Sequence, residues 1–357
     1  MFLTKVHIFD NMCSMKSYKD KIYNILTNEP GLSAAQISAM GGVGDRSYVS
    51  RVLAQLIREG RVKSERFGRM IRYYVCDVKV GLDEDLELVG LHEDEIWTKI
   101  RKTTDFLSDL SEQAENILYF AFTEMLNNAI DHSRSGIGYV KIWLEDEKLR
   151  FIVRDRGVGV FRNVMAWKHL PDELAAAQEL IKGKLTTAAR RHSGEGIFWT
   201  SKIADRFALK SYGYELVVDN SIDDYTMRMV DEVLIGTEVY FEVAKNTDKS
   251  IRRLFREYTF DEEHLTLDTT SIPVNLFNEG DIWISRSQAK KVLAGLTRYK
   301  KIIFNFAGVD VIGQAFADEI FRVFNIEHPE IELEAVNMSD SVKLMVEHAR
   351  NDMTGRG

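Results

Sequence analysis

Cysteine is nearly absent from this chain: Cys13 and Cys76 are the only two in 357 residues. Two thiols cannot build a disulfide framework or, by themselves, a four-ligand zinc site. No apolar run approaches the roughly 20 residues that a membrane span requires. The opening MFLTKVHIFDN has neither a long apolar stretch nor a cleavage site, so no signal peptide is expected and a cytoplasmic location is the default. Large-scale disorder is excluded by composition, with 45% apolar and 29% charged residues. At about 150 residues per domain, the length predicts two or three domains, each able to bury its own core.

Charge is unevenly placed. The net charge is −8, yet residues 16–75 carry eleven basic and five acidic side chains, a local +6 that leaves −14 for the remainder. A basic module on an acidic body suits a nucleic-acid-binding head. SYKDKIYNILTNEPG predicts a helix ended by Pro30-Gly31, Ser33 caps a short second helix, and Asp45 caps a third that reaches Glu59. In the third helix Val49, Val52, Leu53, Leu56 and Ile57 form one apolar stripe. Arg46, Ser47, Ser50 and Arg51 lie largely outside it. RVKSERF and MIRYYV then predict a hairpin through Gly68-Arg69. Three helices and a basic hairpin over residues 14–78 resemble a winged helix-turn-helix. That resemblance implies double-stranded DNA as partner, with the third helix in the major groove and Arg69 on the wing. A winged helix used for protein contact is the alternative. Residues 79–109 read as an acidic connector of low pattern, with a helix starting near Asp94 or Glu95.

The chemistry concentrates further on. In the helical run 117–133, Glu124, Asn128 and His132 are spaced i, i+4 and i+8 and stack along one face. A carboxylate and a carboxamide one turn apart suit a magnesium–phosphate site: the amide oxygen can ligate the hard cation, and the carboxylate can deprotonate a nucleophile. KLRFIVRDRGVGV alternates Leu149, Phe151 and Val153 on one strand face and places Asp155 in the same parity. A buried carboxylate there can accept from an exocyclic amino group such as that of adenine, and Gly157 and Gly159 let the backbone approach the base. Ser193, Gly194 and Gly196 precede a helix whose free N–H groups can cradle phosphate. Gly236-Thr237 opens a last strand, with Thr237, Val239, Phe241 and Val243 on one face.

These four blocks, in this order, resemble the nucleotide-binding domain of the GHKL superfamily of gyrase, heat-shock chaperones, histidine kinases and mismatch-repair ATPases. Glu124-xxx-Asn128-Ala129-xx-His132 matches its N box, Asp155-x-Gly157-x-Gly159 and Ser193-Gly194-x-Gly196 its two glycine boxes, and Gly236-Thr237 its terminal strand. The resemblance, placed at residues 110–246, implies ATP and Mg as cofactors. It makes Glu124 the general base, Asn128 the magnesium ligand and Asp155 the adenine reader, with His132, Gly157, Gly159, Ser193, Gly194, Gly196 and Thr237 lining the nucleotide. Residues from about 160 to 192 would form a lid holding Lys168, Lys182, Lys184, Arg190 and Arg191. The second glycine box departs from the pattern, with His192 where many relatives have glycine and Glu195 bringing an anion near the phosphates. The N-box spacing is most similar to that of anti-sigma-factor serine kinases.

After a linker at 247–270, strands alternate with helices through 271–357. IIFNFAGVDVIGQAFADEIFRVF resembles STAS-like domains, the class of anti-anti-sigma factors. Phosphorylated members carry a hydroxyl just before the helix-starting glycine; here Asp310-Val311-Ile312-Gly313 has none, which implies a docking or self-association surface instead. The expected architecture is therefore α+β and multidomain: a winged helix, an α/β two-layer sandwich of the GHKL type, and a small α/β STAS-like domain. The expected function is a cytoplasmic, ATP-binding transcription regulator that couples nucleotide binding or slow hydrolysis to DNA binding and to a protein partner. A protein kinase of the anti-sigma type, acting on a separate STAS partner, is the alternative. Homodimerisation is plausible for both classes.

Overall fold

The computed structural model describes residues 18–40, 42–58, 61–75, 78–183, 195–231, 233–259, 267–277 and 285–354. Two compact units divide the chain, one of residues 1–79 with 143–146, the other of 80–142 and 147–357.

In the first unit, helix α1 spans residues 18–28 and stops ahead of Pro30-Gly31. Helix α2 (Ala34–Ala39) starts in a capping box, with Ser33 N–H donating to Gln36 Oε1 at 2.9 Å. Helix α3 (Arg46–Arg58) is capped by Asp45, whose Oδ1 accepts from Tyr48 N at 2.8 Å. Val49, Val52, Leu53 and Leu56 of α3 join Ile22, Leu26 and Ile37 in one core. Ile57, assigned to that stripe by its spacing, is exposed instead, because it falls at the stripe's edge near the helix end. Strands β1 (Val62–Phe67) and β2 (Met70–Val75) pair antiparallel, with Phe67 opposite Met70. Gly68, at φ +61°, supplies the left-handed turn between them. Tyr73 N–H donates to Leu32 O at 2.9 Å, bringing the entry to α2 onto the hairpin.

The second unit begins where a low-pattern connector was expected. Strand β3 (Lys79–Glu87) and helix α4 (Glu93–Thr103) occupy it, the helix starting within two residues of its predicted position. β3 is the edge of a seven-stranded sheet of order β3-β4-β5-β9-β6-β7-β8, which explains its weak pattern: only Leu82 and Leu86 along it are buried. Helix α5 (Glu112–His132) leads to β4 (Ile137–Glu145) and β5 (Lys148–Asp155), joined through Asp146 and Glu147, both at positive φ. Helices α6 (Val160–Lys168), α7 (Glu173–Lys182) and α8 (Gly196–Ile203) follow. Strands β6 (Arg206–Ser211), β7 (Tyr214–Asp219), β8 (Asp224–Met229) and β9 (Glu238–Ala244) complete the sheet, with β9 inserted antiparallel between β5 and β6. Phe151 stacks on Phe241 at 4.8 Å and meets Phe122 of α5 edge-on at 5.6 Å, which fixes that helix across the sheet.

On β9, Glu242 accepts from Lys148 Nζ at 2.5 Å, Arg150 Nε at 2.7 Å and the Tyr240 hydroxyl at 2.7 Å. Burial alone would raise its carboxyl, but these donors outweigh it and hold the group down at about 2 rather than 4.5. The stabilisation is complete above the unfolded-state value of 4.5 and is lost as pH falls toward 2. Thermal melts of Glu242→Gln should lie well below wild type at pH 7, and the gap should close over that acid range. A gap independent of pH would show that packing, not charge, is at stake.

The described part of the expected linker at 247–270 holds a helix and the start of a strand. Helix α9 (Ile251–Tyr258) packs Phe255 edge-on against Trp199 at 4.5 Å, so aromatic contact rather than composition decides its place. A parallel sheet of order β10-β11-β12 follows, from β10 (Thr269–Pro273), β11 (Lys301–Asn305) and β12 (Glu332–Val336). Helices α10 (Arg286–Leu293), α11 (Gln314–Asp318), α12 (Asn325–Glu327) and α13 (Asp340–Thr354) cover it, with a π-helical stretch at Glu319–Phe324 between α11 and α12. Phe304, Phe316, Ile320 and Phe321 are buried in this layer.

Candidate functional site

Helix α5 starts with Ser111 accepting from Ala114 N at 3.1 Å and buries Ile117, Leu118, Ala121, Phe122, Met125 and Leu126. Glu124, Asn128 and His132 are only partly buried, as their separate phase on the helix requires. Glu124 meets the start of α8: a Cβ on Gly196 would fall 2.3 Å from its Oε2, so any other residue there would displace the carboxylate. Asn128 Nδ2 is shut off from solvent and has no hydrogen-bond partner among the described residues. An unmade buried amide bond costs about 1–3 kcal/mol, a cost that a ligand's acceptor could offset.

The second element is the end of β5. Leu149, Phe151, Val153 and Asp155 are all buried, as their shared parity predicts. Asp155 Oδ1 accepts from Gly157 N at 2.8 Å and Thr237 N at 3.3 Å. Burial pushes this carboxyl above 3.8, although these donors pull against it. The turn then closes onto α5. Val158 N donates to Ser133 O at 2.9 Å, and a Cβ on Gly157 would overlap that same carbonyl. Gly159, at φ +81°, caps α6, and Thr237 Oγ1 accepts from Val160 N at 2.9 Å. Glu124, Asn128, Asp155, Gly157, Gly159, Gly196 and Thr237 are thereby linked through three direct junctions: α5 to α8, α5 to the β5 turn, and the β5 turn to β9. His132 is the last residue of α5, one position before Ser133. Ser193 and Gly194 lie outside the described residues.

Sequence reasoning missed Tyr212. It sits at φ +48° in the β6–β7 turn, and its hydroxyl donates to Gly157 O at 2.9 Å. Its ring carries the Arg162 guanidinium at 3.6 Å and lies where a Cβ on Gly159 would fall. The only signal in the sequence was the Tyr212-Gly213 pair, which marks a turn and nothing more. Glu195 accepts from Trp199 Nε1 at 3.1 Å, one turn along its own helix. Of the lid cations, Lys168 approaches Glu179 at 3.5 Å, and Lys182 is only 2% exposed. Lys182 is therefore not a solvated side chain; Lys184, Arg190 and Arg191 lie outside the described residues.

In the first unit Arg46, Ser47, Ser50 and Arg51 are exposed along α3, and Arg69 is exposed at the hairpin turn. Ser50 Oγ bonds back to Arg46 O at 2.9 Å, and Arg51 lies 5.7 Å from the centre of the Tyr48 ring. In the C-terminal layer, Gly313 precedes α11 and Asp310 O accepts from Ser339 Oγ at 2.6 Å.

Among the described residues, no group of three His, Cys, Asp or Glu side chains could hold a metal ion. A magnesium ion needs none, because one carboxamide oxygen plus substrate phosphates and water suffices; the orphaned Nδ2 of Asn128 is a donor suited to a phosphate oxygen, and its Oδ1 is the atom a cation would take. No helix among the described residues is long and apolar enough to cross a membrane.

Comparison with known families agrees with this geometry. Residues 113–247 match the histidine kinase-, DNA gyrase B-, and HSP90-like ATPases, and residues 288–343 match a STAS-like domain of unknown function (DUF4325). No curated protein matches the chain. The first match spans all four motifs, from Glu124 to Thr237, and the second spans β11, α11 and β12. The chain thus contains a GHKL-type ATPase domain followed by a STAS-like domain.

Proposed function

We propose that this protein is an ATP-responsive transcription regulator, in which Mg-ATP bound by the GHKL-type domain governs DNA binding by the N-terminal unit and partner docking by the STAS-like domain. The observation that carries the reading is the meeting of motifs spread from residue 124 to residue 237: Gly196 against Glu124, Val158 against Ser133, and Thr237 against Asp155. In this site Asp155 accepts from the adenine amino group, and Gly157 and Gly159 leave room for the base. Asn128 offers its amide to Mg and phosphate, and the α8 N-terminus faces negative charge. Bound Mg supplies charge neutralisation to the phosphates. Glu124 takes the proton from the attacking water.

The test is incubation of the full chain with γ-labelled ATP and magnesium, following label into free phosphate and into protein. Free labelled phosphate is expected. Label transferred to a hydroxyl of an added STAS protein would favour the anti-sigma-type kinase instead, and failure to bind ATP would overturn both readings.

The N-terminal unit has the element order of a winged helix-turn-helix, and its basic surplus favours DNA over a protein partner. Arg46 and Arg51 are exposed on α3, so reversing both to glutamate removes four units of charge from that face without touching the core. A mobility shift on DNA from upstream of its own gene should be abolished in Arg46→Glu/Arg51→Glu. A shift that persists would exclude α3 as the reading helix.

A further inference from the structure

The β6–β7 turn carries a residue that its backbone disfavours. Ser211 pairs with Tyr214 across a two-residue loop, and both loop residues, Tyr212 and Gly213, sit at positive φ, +48° and +84°. Such a loop favours asparagine, aspartate or glycine at its first position, because a bulkier side chain crowds the backbone there. A tyrosine holds this conformation only where its surroundings over-determine it.

Those surroundings are the peptide groups around Asp155. The Tyr212 hydroxyl donates to Gly157 O at 2.9 Å, and the N–H of that same peptide, on Val158, donates to Ser133 O at 2.9 Å. The 157–158 peptide is therefore pinned at both ends. Ser211, only 1% exposed, donates through its Oγ to Gly236 O at 2.8 Å. The N–H of that peptide, on Thr237, donates in turn to Asp155 Oδ1 at 3.3 Å. A hydroxyl, a peptide group and the carboxylate thus lie in series, and each bond polarises the next. Gly159 makes room for the pair: a Cβ there would run into Ser211 Oγ and fall 2.7 Å from the Tyr212 ring. Arg162 of α6 closes on the same ring at 3.6 Å.

We propose that Ser211 and Tyr212 are positioning residues for adenine recognition, aiming the Asp155 carboxylate through the 236–237 and 157–158 peptides and thereby setting a preference for ATP over GTP. The inference rests on the ATP-binding reading, with Asp155 as acceptor for the adenine amino group. Adenine presents an amino donor where guanine presents a carbonyl oxygen. A firmly aimed carboxylate therefore attracts the first base and meets the second acceptor to acceptor, which is discrimination by repulsion as well as attraction. Loosening either peptide blunts the aim: ATP loses a bond that GTP never had. Neither side chain has to touch the base.

The test is titration of the full chain with Mg-ATP by calorimetry and with Mg-GTP by competition against a fluorescent ATP analogue, in wild type, Ser211→Ala and Tyr212→Phe. Tyr212→Phe keeps the ring against Gly159 and Arg162 and deletes only the hydroxyl, so it carries the test should Ser211→Ala lose its thermal transition. Expected is an ATP Kd raised at least fivefold with the GTP Kd within twofold of wild type. In an Asp155→Asn background, Tyr212→Phe should change the ATP Kd less than twofold, because the carboxylate it aims is gone. An unchanged ATP Kd, equal weakening of both nucleotides, or a full fivefold effect without the carboxylate would each overturn the inference and leave the turn as packing alone. Wild type that binds ATP and GTP equally would overturn it together with the adenine role of Asp155, while wild type that binds neither would overturn the ATP reading itself.

Discussion

Glu124→Ala should bind Mg-ATP within about threefold of wild type and release labelled phosphate at least a hundredfold more slowly. General-base catalysis contributes about 10²–10⁴ in rate, and Glu124 is the half-buried carboxylate one turn before Asn128 on α5, whereas Asp131 in the same motif is exposed. Binding should survive because the proposed adenine contacts lie on other elements: Asp155 ends β5 and Thr237 precedes β9. The fold is expected to survive too, since Glu124 lies outside the buried apolar face of α5. Steady-state phosphate release paired with calorimetry separates the two effects. Equal phosphate release from variant and wild type would place the base elsewhere.

Asp155→Asn should move binding and stability in opposite directions. Losing the carboxylate's acceptor strength toward the adenine amino group is expected to weaken ATP at least tenfold, about 1.4 kcal/mol. The unliganded protein should nonetheless melt higher at neutral pH. Burial holds the Asp155 carboxyl above 3.8 in the folded chain, so the folded state binds that proton more tightly than the unfolded state does. Stability is then lost as pH rises from 3.8 through the raised folded value, and the native protein carries that cost at pH 7. An asparagine keeps Oδ1 as acceptor for Gly157 and Thr237 and removes the buried charge. Its melting temperature should therefore exceed wild type at pH 7 and converge with it below pH 3.8. A lower melting temperature with unchanged ATP affinity would make Asp155 a structural residue.

Much of the site was legible because its signals are local. The parity of Leu149, Phe151, Val153 and Asp155 placed the carboxylate inside the sheet, and the i, i+4 spacing of Glu124 and Asn128 aligned them on α5. Ser33 and Asp45 marked helix starts where the caps form. Patterns of this kind failed where one element's environment depends on distant partners. β3 read as connector because an edge strand buries few side chains, and α9 read as linker because its packing partner, Trp199, lies more than fifty residues earlier.

The sequence alone therefore determined the two recognisable domains, the identity of the motifs and those elements whose patterns are local, since hydrophobic period and capping chemistry act over a few residues. Tertiary structure decided which motifs meet and what else joins them. Tyr212 reaches Gly157 across fifty-five positions, and Tyr299 reaches Lys182 across 117. Neither pairing leaves a trace in spacing or composition, because contacts across such separations arise only when the chain is packed. Lys182 shows the difference: in the sequence it is one of several lid cations, and in the fold it is the bolt between two domains.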